Sequence, residues 1–118
     1  MDDSRPIFIQ IAEQIESDIL RGTLPEESQV PSTNEYAAFY RINPATAGKG
    51  VNVLIDSGIL YKKRGIGMFV AEGSRARIIA ARREQFQAEF VTPLVAEARS
   101  LGIGQAELTD MIRKEGNS

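Results

Sequence analysis

The chain has 118 residues, of which 42% are hydrophobic, and it carries a net charge of −2 with neither histidine nor cysteine. A chain of this length can bury one sizeable core, so we expect one compact domain plus at most a small appendage. The missing residue types exclude Cys-His and Ser-His-Asp catalysis, disulfides and ordinary zinc sites. No segment approaches the roughly 20 apolar residues of a membrane span, and the acidic N-terminus is unlike a secretory signal, so we expect a cytoplasmic protein.

Two helices are predicted in the first part of the chain. Pro6 suits the first turn of a helix and apolar residues then recur at helical spacing, which predicts a first helix at about 6–21. After a loop, Ser32 and Glu35 have the spacing of a capping box. A short second helix is therefore predicted at about 33–40.

The third predicted helix begins at a strong start signal. Asn43 is a favourable N-cap residue and Pro44 suits the first helical position, so we predict a helix at 43–57. Its apolar residues form one face, and the opposite face is small, polar and singly basic: Ala45, Thr46, Gly48, Lys49 and Asn52. This outward face is either a loosely optimised surface or a face that enters a groove.

Two short strands follow the third helix. Residues 59–63 and 68–71 are rich in β-branched and aromatic side chains and are joined by Arg64-Gly65-Ile66-Gly67, whose glycines permit positive φ angles at the tip. The Gly-x-Gly sequence resembles a nucleotide-binding loop, but no helix follows it, which disfavours a phosphate cradle. Gln29 and Val30 can add a short extended segment.

The rest of the chain is predicted to be helical. Residues 75–92 favour a helix, and Pro93 removes one backbone hydrogen bond, so we expect a kink or restart between residues 89 and 93. The apolar face continues to Leu101, and a last helix is predicted at about 105–115.

Positive charge is concentrated in the middle of the chain. The net charge is −6 over residues 1–40, +7 over residues 41–83 and −3 over residues 84–118. Such asymmetry indicates a polyanionic partner, although a charge cluster is more often only a solvated face.

Three helices followed by a hairpin with a basic, glycine-containing tip are typical of a winged helix-turn-helix, whose third helix lies in the DNA major groove. Three segments carry a closer resemblance: VPSTNEYA (30–37), INPATAGKG (42–50) and DSGILYKKRGIGMFVA (56–71). Over about residues 6–72, without a gap, the chain resembles the N-terminal domain of the GntR family of bacterial transcription regulators. We therefore predict a mainly α fold with a small β-hairpin, in which a winged helix-turn-helix domain (1–72) precedes a short α-helical dimerisation region (73–118).

The resemblance also implies a function. Such proteins are homodimeric, sequence-specific regulators, usually repressors, that bind palindromic operators in double-stranded DNA and release them when a small effector binds a larger C-terminal domain. Only 46 residues follow Glu72 here, too few for that domain. This length is similar to that of the YtrA subfamily, whose short helical tail serves mainly for dimerisation. No cofactor and no membrane partner are expected, and a small-molecule effector stays an open question.

Candidate site residues follow from the fold that the resemblance implies. DNA contacts are expected at the start of the second helix, on the third helix and in the wing at 62–69: Thr33, Asn34, Asn43, Pro44, Ala45, Thr46, Lys49, Lys63, Arg64 and Gly65. Because alternate residues of a strand face opposite sides, at most one of Lys62 and Lys63 should touch DNA. Dimerisation is expected to use apolar residues of the tail: Ile79, Phe86, Phe90, Leu94, Leu101, Leu108, Met111 and Ile112.

The chain departs from the family pattern at several of these positions. Asn34 stands where most members have arginine, and Pro44 and Gly48 stand where many carry two arginines. Glu27 occupies a turn position that is commonly glycine. These departures bear on operator sequence and affinity rather than on the fold.

Other classes of function stay open at this stage. The wing and third helix could form a non-specific nucleic-acid-binding or protein-binding module. An enzyme is disfavoured, because the carboxylates are scattered without a convergent cluster. Four arginines after the wing could extend a DNA footprint or be merely solvated or ion-paired: Arg75, Arg77, Arg82 and Arg83.

Overall fold

The computed structural model describes residues 4–117. Its elements are α1 (Ile7–Leu20), β1 (Gln29–Val30), α2 (Thr33–Tyr40), α3 (Pro44–Asp56), β2 (Leu60–Lys63), β3 (Gly67–Val70), α4 (Ser74–Phe86), a π-helical turn (Gln87–Val91), α5 (Thr92–Ser100) and α6 (Gln105–Gly116). The residues form two compact units, of which the first ends at Ile79 and the second begins at Ala80. The mainly helical composition with a small antiparallel sheet confirms the predicted fold class.

One apolar core fills the first unit. It is formed by the buried faces of α1, α2 and α3, by the sheet and by the start of α4, and its largest fully buried side chains are Ile11, Ile15, Val51, Leu54, Leu60, Val70 and Ile78. Burying each such side chain stabilises the fold by about 1.5–3 kcal/mol. Ser74 is also buried, and its hydroxyl donates a hydrogen bond to the Ile59 carbonyl at 2.7 Å.

The helices of the helix-turn-helix begin where the sequence predicts. Ser32 Oγ accepts a hydrogen bond from the Glu35 amide, and Glu35 Oε1 accepts one from the Ser32 amide, both at 3.1 Å. Asn43 Oδ1 accepts from the Ala45 amide at 2.7 Å, and Pro44 is the first residue of α3. These bonds satisfy backbone donors that a helix N-terminus leaves unpaired, so both start sites are locally encoded.

Glycine permits a close approach between α1 and α3. A Cβ added at Gly50 would lie 2.7 Å from the Phe8 carbonyl oxygen and 3.2 Å from Ile11 Cβ. Gly48, which was expected to face outward, instead faces α2, where an added Cβ would lie 3.6 Å from Thr33 Cγ2. The prediction that Gly48 faces outward was wrong, because α2 packs across that side of α3.

The sheet has three strands rather than the two of the predicted hairpin. Their order is β1-β3-β2, all antiparallel, with Gln29 paired to Phe69 and Lys62 paired to Met68. With only two residues, β1 is too short to show an alternating pattern. Its pairing with β3 is therefore a tertiary contact that links the loop before α2 to the wing.

The second unit contains an irregular helical segment. After α4 the backbone forms a π-helical turn, and α5 begins one residue before Pro93. Proline has no N–H and crowds the carbonyl four residues earlier, and a wider turn accommodates both effects. The expected irregularity before Pro93 is therefore present as a π-helical turn rather than a break. Across residues 4–117, no helix has the length and apolar character needed to cross a membrane.

Candidate nucleic-acid interface

The N-terminal end of α3 presents an exposed polar surface. Asn43, Pro44 and Ala45 are exposed, and Thr46 is half-buried. The start of α3 also carries the positive end of the helix dipole, which favours an anion. The structure thus brings together four of the predicted DNA-contacting residues at one helix end.

Lys49 lies on the same helix but has a partner within the protein. Its Nζ is 4.1 Å from the centre of the Phe8 ring on α1, a cation–π contact. The side chain stays exposed. To reach DNA it has to leave this ring, which costs about 0.5–1 kcal/mol for an exposed contact of this kind.

A groove joins the N-terminal end of α2 to the wing. Its volume is about 630 Å³, and its lining comprises Gln29, Val30, Ser32, Thr33, Glu35, Lys62, Lys63, Arg64, Gly65, Ile66, Gly67 and Met68. We call it the wing groove. Four predicted DNA-contacting residues, Thr33, Lys63, Arg64 and Gly65, thus line one groove with three cations and a single carboxylate. Asn34 is exposed on α2 but is not part of this lining.

The wing tip is held in place by a side chain from β1. Gln29 Nε2 donates a hydrogen bond to the Ile66 carbonyl at 3.2 Å, and a Cβ added at Gly67 would lie 2.5 Å from that nitrogen. Gly65 and Gly67 both have positive φ angles, 77° and 149°. The tip therefore requires both glycines, and Ile66 between them is 65% exposed.

The two wing lysines occupy opposite faces of β2. Lys62 pairs with the buried Met68, so it lies on the face of the sheet that covers the core and borders the wing groove. Lys63 instead has its Nζ 4.4 Å from the centre of the Phe69 ring. Both lysines line the wing groove, and the ammonium of Lys63 also makes a cation–π contact with Phe69.

The outer face of the wing is linked to the loop before β1. The Tyr61 hydroxyl donates a hydrogen bond to Glu27 Oε2 at 2.7 Å, and this bond raises the pKa of Tyr61. Glu27 has a φ angle of 67°, which explains physically why glycine suits this position. At this position, whose φ angle favours glycine, the Glu27 side chain makes a hydrogen bond that glycine could not make.

Two of the arginines after the wing serve the first unit itself. Arg77 Nη1 donates to the Gly58 carbonyl at 2.9 Å, and Arg75 Nε donates to the Leu20 carbonyl at 3.4 Å. These guanidinium groups hold the start of α4 against the end of α1 and the turn after α3. In this structure, both arginines therefore help to hold the first unit together.

The second unit exposes a row of large apolar side chains. Phe86, Phe90, Leu94, Leu101, Met111 and Ile112 are each 42–65% exposed, and the rings of Phe86 and Phe90 are 5.7 Å apart. Of the remaining predicted dimerisation residues, Leu108 is half-buried, and Ile79 is half-buried at the end of the first unit. An apolar surface of this kind is typical of an interaction site.

Sequence reasoning missed several residues of the wing groove: Gln29, Ser32, Glu35, Lys62, Ile66 and Met68. Ser32 and Glu35 had been predicted only as helix caps and Gln29 only as part of an extended segment, and Lys62 was one of two lysines of which at most one was expected to touch DNA. Only the fold shows that these residues line one groove. One signal was available, since Gln29 and Val30 are the extended residues directly before α2. Their pairing with β3 is what places Gln29 beneath the wing tip.

Curated relatives match nearly the whole chain. The HTH-type transcriptional regulator YhcF of Bacillus subtilis is 30% identical over 110 residues, which cover 93% of this chain and 89% of the relative. The HTH-type transcriptional repressor YtrA of the same organism is 26% identical over 111 residues, which cover 94% and 85%. No family model matches the chain.

Solved structures show the same fold. A GntR-family transcriptional regulator from Bacteroides thetaiotaomicron has a TM-score of 0.82 and 37% identity, over 94% of this chain and 96% of that one. The DNA-binding domain of AraR, solved in complex with operator ORE1, has a TM-score of 0.55 and 31% identity over 57% of this chain and 82% of its own. One of these relatives thus binds operator DNA with a domain of this fold.

Proposed function

The chain belongs to the GntR family of transcriptional regulators and is a DNA-binding regulator, and we propose that it represses transcription by binding a palindromic operator as a homodimer. The observation that carries this proposal is the cationic wing groove, which lies in the same unit as the exposed start of α3, and the fold of this unit is shared with an operator-bound domain. The alternative is a winged-helix module that binds nucleic acid or protein without sequence specificity.

The proposed contacts divide into base and phosphate contacts. In the major groove, Ala45, Thr46 and Lys49 would face base edges, with Lys49 released from Phe8. The backbone amides at the start of α3, near Asn43 and Pro44, would meet a phosphate. Phosphate contacts carry no sequence information but set the register in which α3 reads the bases.

The wing groove is proposed to follow the adjacent DNA backbone. Thr33 and Asn34 at the start of α2 would contact one phosphate, and Arg64 and Gly65 at the tip would reach the backbone or the minor groove. Lys63 was the wing lysine expected from the sequence; because its ammonium lies over the Phe69 ring, we propose Lys62 as the phosphate contact. The cations of this groove supply the positive charge that a phosphate backbone requires.

The second unit is proposed to form the dimer. The second unit has little surface of its own that could cover these exposed apolar side chains, and a second copy of the chain would bury them. The matches to YhcF and YtrA, which cover 93% and 94% of this chain, support placing it in a YtrA-like subfamily with a short helical tail.

The test is selection of bound duplexes from a random DNA library at physiological salt, followed by titration of the selected duplex against scrambled DNA. An inverted repeat preferred by about 10³-fold or more supports a dimeric sequence-specific regulator. A Thr46→Ala variant should lose preference at defined positions. Equal affinity for all duplexes, falling steeply with salt, would instead support the non-specific alternative.

Repression itself needs a separate readout. The selected inverted repeat is placed between a promoter and a reporter gene, with a scrambled repeat as the matched control. Expression of the chain should lower reporter output only from the intact repeat. An increase in output would show activation and overturn the repressor assignment.

A further inference from the structure

A second cavity in the first unit lies between the end of α1, the loop before β1 and α2. Its volume is about 330 Å³, at the lower end of the range for small-ligand sites. Its lining comprises Asp18, Thr23, Leu24, Pro31, Glu35, Tyr36, Phe39 and Tyr40. We call it the aromatic cavity, and the roles assigned above to α3 and the wing do not use it.

Three aromatic rings form its walls. The rings of Phe39 and Tyr40 are 4.9 Å apart in an edge-to-face arrangement, and those of Tyr36 and Tyr40 are 6.3 Å apart and stacked. Phe39 is 78% exposed, an unusual position for a phenylalanine. Aromatic faces carry negative charge density and attract organic cations.

The charged residues in the lining are both acidic. Asp18 and Glu35 line the cavity, and no basic side chain is part of the lining within residues 4–117. Asp18 pairs with Arg21, which is not part of the lining, and Asp18 Oδ1 also accepts a hydrogen bond from Gln14 Nε2 at 3.3 Å. The electrostatic character of the cavity is therefore negative.

Tyr36 adds a polar group that needs a partner. The residue is only 5% exposed, and its hydroxyl oxygen is buried without a hydrogen-bond partner among residues 4–117. Burial, followed by the charges of Asp18, Tyr40 and Glu35, raises the pKa of this hydroxyl. An unpaired buried hydroxyl costs stability, and because its oxygen is shielded from solvent, a ligand in the open cavity would not reach it.

We propose that the aromatic cavity binds a small organic ammonium ion. The aromatic rings and carboxylates of its lining would hold the cation. Binding at this site does not depend on the proposed DNA contacts. Glu35 lines both this cavity and the wing groove and caps α2, so Asp18 is the better carboxylate to test.

The experiment is an amide-shift titration of the isotopically labelled full chain without DNA. Choline is the probe, and 3,3-dimethylbutan-1-ol is its neutral isostere at the same ionic strength. Choline should shift the amides of Thr23, Leu24, Phe39 and Tyr40 saturably, with an affinity about fivefold or more above that of the alcohol. Phenethylammonium tests whether the cavity accepts a larger cation.

Three variants test the assignment. Phe39→Leu and Asp18→Asn should each weaken choline binding severalfold, whereas Asp56→Asn, which removes an exposed carboxylate outside the cavity, should leave it unchanged. The proposal is overturned if neither cation causes saturable shifts up to about 20 mM. Equal affinity for the alcohol, or equal effects of the two aspartate variants, overturns it as well. If only an added lysine-containing peptide of mixed sequence causes shifts, the partner is a protein and the small-cation proposal is rejected.

Discussion

Single residues decide how closely the elements of the first unit pack. Gly50 and Gly48 are two positions apart on α3, yet they face different neighbours. At Gly50 the neighbour is a backbone carbonyl of α1, which cannot move without shifting the helix, whereas at Gly48 it is a threonine methyl group at ordinary contact distance. An added methyl group is therefore expected to overlap the α1 backbone at Gly50 but to make an ordinary contact at Gly48.

Replacing each glycine by alanine separates these roles. Gly50→Ala should lower the free energy of unfolding by about 1–3 kcal/mol, because the added methyl group overlaps the Phe8 carbonyl. Gly48→Ala should raise it by up to about 1 kcal/mol through helix propensity. Urea unfolding of both variants measures the difference. Equal effects would show that α1 does not approach α3 this closely.

Tyr36 gives a prediction about pH. Its pKa is raised above the ordinary value of 10.0, so the stability that its neutral form contributes is present below pH 10 and is lost as the pH rises towards the folded-state value. Tyr36→Phe should therefore lose less stability between about pH 9 and pH 11 than the unchanged chain. Urea unfolding at the two pH values tests this, and parallel losses would contradict the burial of the hydroxyl.

At the scale of elements, the two helices of the helix-turn-helix have local start signals, while the wing depends on partners far along the chain. Ser32 and Glu35 are three residues apart, but Gln29 and Ile66 are 37 residues apart. Local signals were readable from the sequence because their spacing is set by helix geometry. The groove between α2 and the wing was not, because sheet pairing creates it.

The capping box of α2 is directly testable. Ser32→Ala should lower the free energy of unfolding by about 1 kcal/mol, because the Glu35 backbone amide loses the Ser32 hydroxyl that accepts its hydrogen bond. Ser32→Thr keeps the hydroxyl and serves as the control. Thermal or urea unfolding distinguishes the two variants. A Thr variant as unstable as the Ala variant would assign the loss to packing rather than capping.

The two wing lysines provide a matched pair for DNA binding. Lys62→Ala should reduce the slope of log affinity against log salt by about one, because one phosphate contact is lost. Lys63→Ala should change it less, since that ammonium lies over Phe69. Fluorescence anisotropy at several salt concentrations measures both slopes. The reverse order would restore Lys63 as the phosphate contact.

For the molecule as a whole, charge and apolar surface lie in different places. The basic middle of the sequence contributes the wing cations of the first unit, and the exposed apolar row belongs to the second unit. This separation suits a regulator in which one unit meets DNA and the other meets a second copy.

A single charge in the apolar row tests the dimer. Phe90→Glu should shift the chain towards monomer in light scattering, because an uncompensated carboxylate would have to be buried in the interface. Phe39→Glu, on another exposed phenylalanine in the first unit, should leave the oligomeric state unchanged. Operator affinity should fall only in the first variant if two half-sites are bound together. Identical masses for the two variants would place the interface elsewhere.

The sequence by itself determined the elements whose signals are local. Helix starts at Ser32 and Asn43, the positive-φ turn at Gly65 and the irregularity before Pro93 each depend on residues a few positions apart, so chain geometry alone encodes them. The motifs in residues 30–71 also indicated the family that the relatives establish.

Only the tertiary structure decided which distant residues share a surface. The pairing of β1 with β3, the turning of Gly48 towards α2, the placement of Lys49 on Phe8 and the aromatic cavity all join segments that composition and periodicity treat separately. Packing of the common core brings these residues together. The sequence pattern alone does not specify which residues become neighbours, because burial of apolar area is non-directional. Local hydrogen bonds thus position the helix ends, and the core determines which residues meet.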